Sequence, residues 1–110
     1  MKKIGFVDFY LSEWHANNYP NWIKEVCADK GFEYELAYAW AEQDISPVDG
    51  VSSAEWCATF GAELCPTLEE LCERFRNYLA KEEKLYFEPD AIRFFVSGFA
   101  ASHFEILEGL

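Results

Sequence analysis

Glycine is missing from the first turn of this chain. Six glycines occur in 110 residues, and none lies in Asp8-Phe9-Tyr10-Leu11-Ser12-Glu13, which follows the apolar run Ile4-Gly5-Phe6-Val7. A glycine-built phosphate cradle is excluded there, because only glycine lets the backbone bend tightly and approach a ligand closely. Basic residues are also few: nine Lys and Arg stand against twenty Asp and Glu, a formal charge of −11. Such a surface repels phosphate backbones and anionic lipid, which argues against nucleic-acid and membrane partners. A small anionic ligand stays open, since backbone amides and a helix N-terminus can hold one locally. No stretch approaches the roughly 20 apolar residues of a membrane span. Asp8, Glu13 and His15 interrupt the N-terminus too early for a signal peptide, so a cytoplasmic location is expected. The four cysteines (Cys27, Cys57, Cys65 and Cys72) include no C-x-x-C pair, which disfavours a zinc site or redox dithiol and fits reduced thiols. Two histidines far apart, with no H-E-x-x-H spacing, propose no metal site. No nucleophile motif, P-loop, repeat or Gly/Ser/Pro-rich linker can be recognised.

What is present is a globular composition, 51% hydrophobic and 18% aromatic, in a chain of single-domain length. Lys2 and Lys3 lead into the Ile4–Val7 strand, which ends at Asp8. Pro20 suits the first position of a helix over Asn21–Lys30, closed by Gly31 in a left-handed conformation. Phe32–Trp40 alternates large apolar residues with Glu or Ala, as a strand does. A loop over Ala41–Val51 follows. Ser52 with Glu55 forms a capping box that opens a helix through Phe60, ended by Gly61. Glu63–Cys65 reads as a very short strand. Thr67 with Glu70 forms a second capping box, before a helix with Leu68, Leu71, Cys72, Phe75, Tyr78 and Leu79 on one stripe. Cys57 and Cys72 fall on apolar helix faces, as small buried hydrophobes do. Lys84–Glu88 and Ala91–Val96 read as strands separated by Pro89-Asp90, and His103–Glu108 as a final helix. Alternating strands and helices predict an α/β fold of right-handed β-α-β units. The expected architecture is a Rossmann-like three-layer sandwich, complete or incomplete, with a small, mostly parallel sheet in one domain.

Ligands of open α/β sheets lie at the C-terminal ends of the strands. In the turn after the first strand, the Asp8 and Glu13 carboxylates and the Phe9 and Tyr10 rings oppose a diphosphate. Glu42 and Asp44 follow the second strand, where an acid can accept ribose hydroxyls; a plain acidic loop is the alternative. Ser97-Gly98, after the expected Ala91–Val96 strand, could let a cofactor pass or form a simple turn. Phe9, Tyr10 and Trp14 read as a stacking pocket for adenine or a sugar, or as core or docking surface.

Three stretches resemble the N-terminal domain of the glucose–fructose oxidoreductase / inositol dehydrogenase (Gfo/Idh/MocA) family. Lys3–Val7 with Trp14-His15-Ala16 is similar to the family's first strand and helix start. Ser53–Glu73 is similar to its helix, short strand and "LEELL" helix. Asp90–Ile106 is similar to its strand, "ATP" turn and "H-x-E" helix start. The resemblance implies an NAD- or NADP-binding domain of an oxidoreductase acting on a sugar-like alcohol. By that resemblance the cofactor would lie over the first loop, on Asp8, Phe9, Tyr10, Leu11 and Ser12, and over the Ser97–His103 loop, with His103 near the nicotinamide and His15 after the phosphate turn. Plainer roles for the histidines are a surface residue at a helix start for His103 and a backbone-bonded helix-start residue for His15. The sequence departs from the family in its glycine-free turn and in a longer Arg74–Phe87 link. It holds neither the Glu-Lys-Pro motif with its catalytic lysine nor the substrate domain, so catalysis by this chain alone is not expected. The rival expectation is a non-catalytic interaction or ligand-binding module, pairing with itself or with a separate partner chain through its aromatics.

Overall fold

A computed structural model describes residues 2–102. It forms a small α/β structure that clusters into two compact units, Met1–Pro66 and Thr67–Leu110.

The first unit is β1 (Lys2–Asp8), α1 (Trp14–Lys30), β2 (Tyr34–Ala41), α2 (Ser53–Phe60) and β3 (Glu63–Leu64). The strands form one parallel sheet in the order β1-β2-β3. Ile4 pairs with Leu36 but Gly5 pairs with Tyr38, so Ala37 is an extra residue in β2. The extra residue changes the side-chain alternation. Leu36 and Ala39, three positions apart, therefore both meet the core, which is built on Leu11, Ala16, Ala39, Trp56 and Cys57. Phe6 of β1 packs its ring 5.6 Å from that of Trp56, which also lies 4.8 Å from Phe60.

Local chemistry explains most of these elements. Ser52 and Glu55 form the reciprocal capping box at the start of α2, satisfying two otherwise orphaned amides. Gly31 and Gly61 close α1 and α2 at φ of 74° and 79°, a conformation costly to any residue with a Cβ. One boundary differs from expectation: α1 begins at Trp14, six residues before Pro20, which lies inside the helix. Glu13 is the N-cap, and glutamate is outside the residue types that usually mark a helix start.

The second unit pairs α3 (Leu68–Glu82) with α4 (Pro89–Ser102). Thr67 caps α3 by accepting from the Glu70 amide, and Leu71 and Cys72 are buried as the stripe requires. The strands expected over Lys84–Glu88 and Ala91–Val96 are absent: Leu85–Glu88 is a connector and Ala91–Val96 is helical. An apolar run of that length fits a buried helix as well as a strand, and Pro89 with Asp90 suits a helix's first turn. Ile92 and Val96 are buried, and Phe95 stacks on Phe75 at 6.0 Å. These are i, i+3 and i+4 positions, one face of a helix. The connector is held by Arg76 Nε donating to the Phe87 carbonyl at 2.8 Å. The stretch expected to form a strand and an "ATP" turn is thus a continuous helix as far as Ser102. The final helix expected over His103–Glu108 lies outside the described residues.

No described helix is long and apolar enough to cross a membrane.

Candidate functional site

At the C-terminal end of β1 the chain turns through five residues, Phe9 to Glu13, before α1 begins. Leu11 and Ser12 are buried, so the middle of the turn is inserted into the unit instead of standing open. Ser12 Oγ donates to Asp49 Oδ2 at 2.6 Å and accepts from Asn17 Nδ2 at 3.2 Å. Its carbonyl accepts from Ser46 Oγ at 2.6 Å. The Ser46–Val51 loop is therefore fastened onto the turn by one buried and one part-buried hydrogen bond. The hydrogen bond from Ser12, helped by the Val51 amide, holds the Asp49 carboxyl below its ordinary range.

The seat that a phosphate would need at the start of α1 is filled from within. One Glu13 carboxylate oxygen accepts from the Ala16 amide, and the other accepts from the His15 amide at 2.9 Å. These are first-turn amides that have no partner within the helix, and such donors favour an anion. His15 Nδ1 lies 3.0 Å from the same carboxylate. Burial pushes the Glu13 carboxyl up, but the two amides and the His15 ring together outweigh it, so its pKa is lowered. Asp8 plays a smaller version of the same part, accepting from the Phe9 amide at 2.7 Å.

Glu42 meets this turn. Its amide donates to the Asp8 carbonyl at 3.2 Å, and the Gln43 amide donates to the Phe9 carbonyl at 2.7 Å. Asp8, Phe9, Tyr10, Leu11, Ser12 and Glu42 thus share one end of the sheet, with the Phe9 and Tyr10 rings edge to face at 6.1 Å. The Asp44 carboxylate is engaged in structure, accepting from the Ser53 amide at 3.1 Å. Ser97 and Gly98 do not form the expected loop after a strand. They lie inside α4 in the second unit, because the residues before them are helical. His103 lies outside the described residues.

On α1, the rings of Trp14, His15, Tyr19 and Trp22 form a closed circuit, with successive centroids 5.1, 5.5, 5.7 and 5.6 Å apart. Trp14 is 63% exposed. Trp14 stands out in the sequence, whereas Tyr19 and Trp22 do not. Their i, i+4 and i+3 spacing is visible, but a helix expected to open at Pro20 cuts the stripe in two. Nor do Glu13 as a cap and Asp49 as a clasp stand out, the latter a pairing 37 positions from Ser12 that no local pattern announces.

Elsewhere in this unit, a shallow 340 Å³ cleft is lined in part by Lys3, Glu35, Tyr38 and Glu63. It sits toward the N-terminal ends of the strands, away from the turn. Among the described residues no group of three or more His, Cys, Asp or Glu could hold a metal ion. Cys57, Cys65 and Cys72 are buried and are not joined in disulfides. No protein-family model matches the chain, and no curated protein and no solved structure matches it.

Proposed function

We propose that this chain is a non-catalytic interaction module on a Rossmann-like α/β scaffold. The observation that carries the reading is the Glu13 carboxylate seated on the His15 and Ala16 amides. A diphosphate would have to displace that carboxylate and accept the repulsion of Asp8, Glu13 and Glu42 around it. The remaining polar groups of the turn are spent on structure, with Ser12, Ser46 and Asp49 bonded to one another or to backbone. The exposed aromatic circuit on α1 supplies what an interaction module needs, since Trp and Tyr dominate binding hot spots.

The test is thermal denaturation with and without millimolar NAD(H) and NADP(H). The reading expects a cooperative transition whose midpoint does not move. A dose-dependent rise would mean that the folded state binds the dinucleotide and would overturn it.

A second reading keeps a ligand at the turn: NAD, NADP or a small sugar-like molecule bound as in a Gfo/Idh/MocA-type oxidoreductase. The junction of Asp8 and Glu42 favours it, being at the strand ends where such ligands lie. A sugar-like ligand would avoid the charge conflict and could stack on the exposed Phe9 ring.

A further inference from the structure

We propose that the outward arc of α1 docks an arginine-rich segment of a partner protein, a proposal that rests on the interaction-module reading and gives the partner's chemistry. At about 100° per residue, Trp14, Trp22, His15, Val26 and Tyr19 fall in one arc, opposite the buried Ala16. Trp22 is 44% exposed, Tyr19 42% and Val26 56%. The ring circuit fixes these side chains against one another, so little freedom is lost when a partner covers them. Glu25 and Asp29, both exposed, fall on the same side of the helix and follow the rings along its axis, Glu25 about one turn beyond Trp22 and Asp29 about two. No lysine or arginine falls between Trp14 and Tyr19 in this arc; Lys30 borders it and Lys24 is on the far side.

A ring cluster followed along the helix by two carboxylates complements a run of planar cations. A guanidinium stacks on an indole and pairs in a fork with a carboxylate, which an ammonium cannot do. A second copy of this chain would bring the same carboxylates and a further formal charge of −11, so like charges would face each other. The charge pattern therefore selects a basic partner over self-pairing.

Fluorescence anisotropy of labelled nona-arginine with the full chain tests the proposal. Native protein should bind it saturably at one site. Trp14→Ser/Trp22→Ser, which leaves the net charge unchanged, should weaken binding at least tenfold, as should Glu25→Gln/Asp29→Asn. Nona-lysine should bind native protein more weakly than nona-arginine. Trp22→Ser alone supplies the same comparison if the double variant does not fold. Equal affinity of native and tryptophan variants would reduce the binding to general electrostatics and overturn the proposal. A dimer in sedimentation that the tryptophan substitutions dissociate would also overturn it, while leaving the interaction-module reading intact. A nucleotide-dependent rise in melting temperature would instead bring down that reading itself.

Discussion

The indole Nε1 of Trp56 donates to Asn17 Oδ1 at 3.0 Å, fastening α2 to α1 through a residue that is otherwise core. Trp56 is 1% exposed and packs against Phe6 and Phe60, so its N–H has no route to water. Asn17→Leu should therefore cost about 1–3 kcal/mol, the penalty for stranding a buried donor. In a Trp56→Phe background the same substitution should cost much less. Urea denaturation of the four proteins of this cycle measures the coupling; strict additivity would mean that the bond does not matter.

Glu13 should show its capping role in both stability and acid sensitivity. Glu13→Ala should lose about 1 kcal/mol, as removal of a helix cap does. The folded-state pKa of Glu13 lies below its ordinary value. Its stabilisation is therefore fully present above the unfolded carboxylate range and is lost as pH falls through the folded value. Denaturation midpoints between neutral and acid pH should fall less steeply in Glu13→Gln than in the native chain.

Two glycines should respond differently to alanine. Gly61 has φ of 79° with nothing within 4 Å of a new Cβ, so Gly61→Ala should cost about 1 kcal/mol from backbone conformation alone. A Cβ on Gly5 would meet the Tyr38 carbonyl oxygen at 3.7 Å, an ordinary contact. Gly5→Ala should therefore fold without a clash, and thermal melting of both variants compares them.

Cysteine reactivity should follow burial. Burial, with a smaller contribution from Cys65, pushes the Cys57 thiol up to about 11, leaving almost no thiolate near neutral pH. Cys27 is the one described cysteine that is not buried. A thiol reagent at pH 8 should modify Cys27 first and reach the other three only on unfolding, which mass spectrometry of peptides can follow.

The first half of the fold is legible in the sequence because its signals are local. Gly31, Gly61 and the Ser52–Glu55 box mark helix ends by chemistry that acts within four residues, and the alternation of Phe32–Trp40 marks a strand. The second half is harder to read because its periodicity is ambiguous: Ala91–Val96 is short and mostly apolar, and its helical face shows in the burial of Ile92 and Val96 and the stacking of Phe95 on Phe75. The candidate site was legible in position, since Asp8–Ser12 and Glu42 do meet. Its chemistry was not, because the Glu13 cap uses an unusual residue type and the Asp49 clasp joins distant loops. Ser97 and Gly98 failed as loop residues for the same reason that their strand failed.

Amide-resolved ¹⁵N spectra of the native chain test the central claim most directly, by following His15 and Ala16. With Glu13 seated on both amides, their resonances should stay fixed when millimolar NAD⁺ or pyrophosphate is added at neutral pH. They should move together when acid protonates Glu13. A saturable shift of these two amides on adding either anion at neutral pH would show that the helix N-terminus is open to phosphate, and would contradict the account.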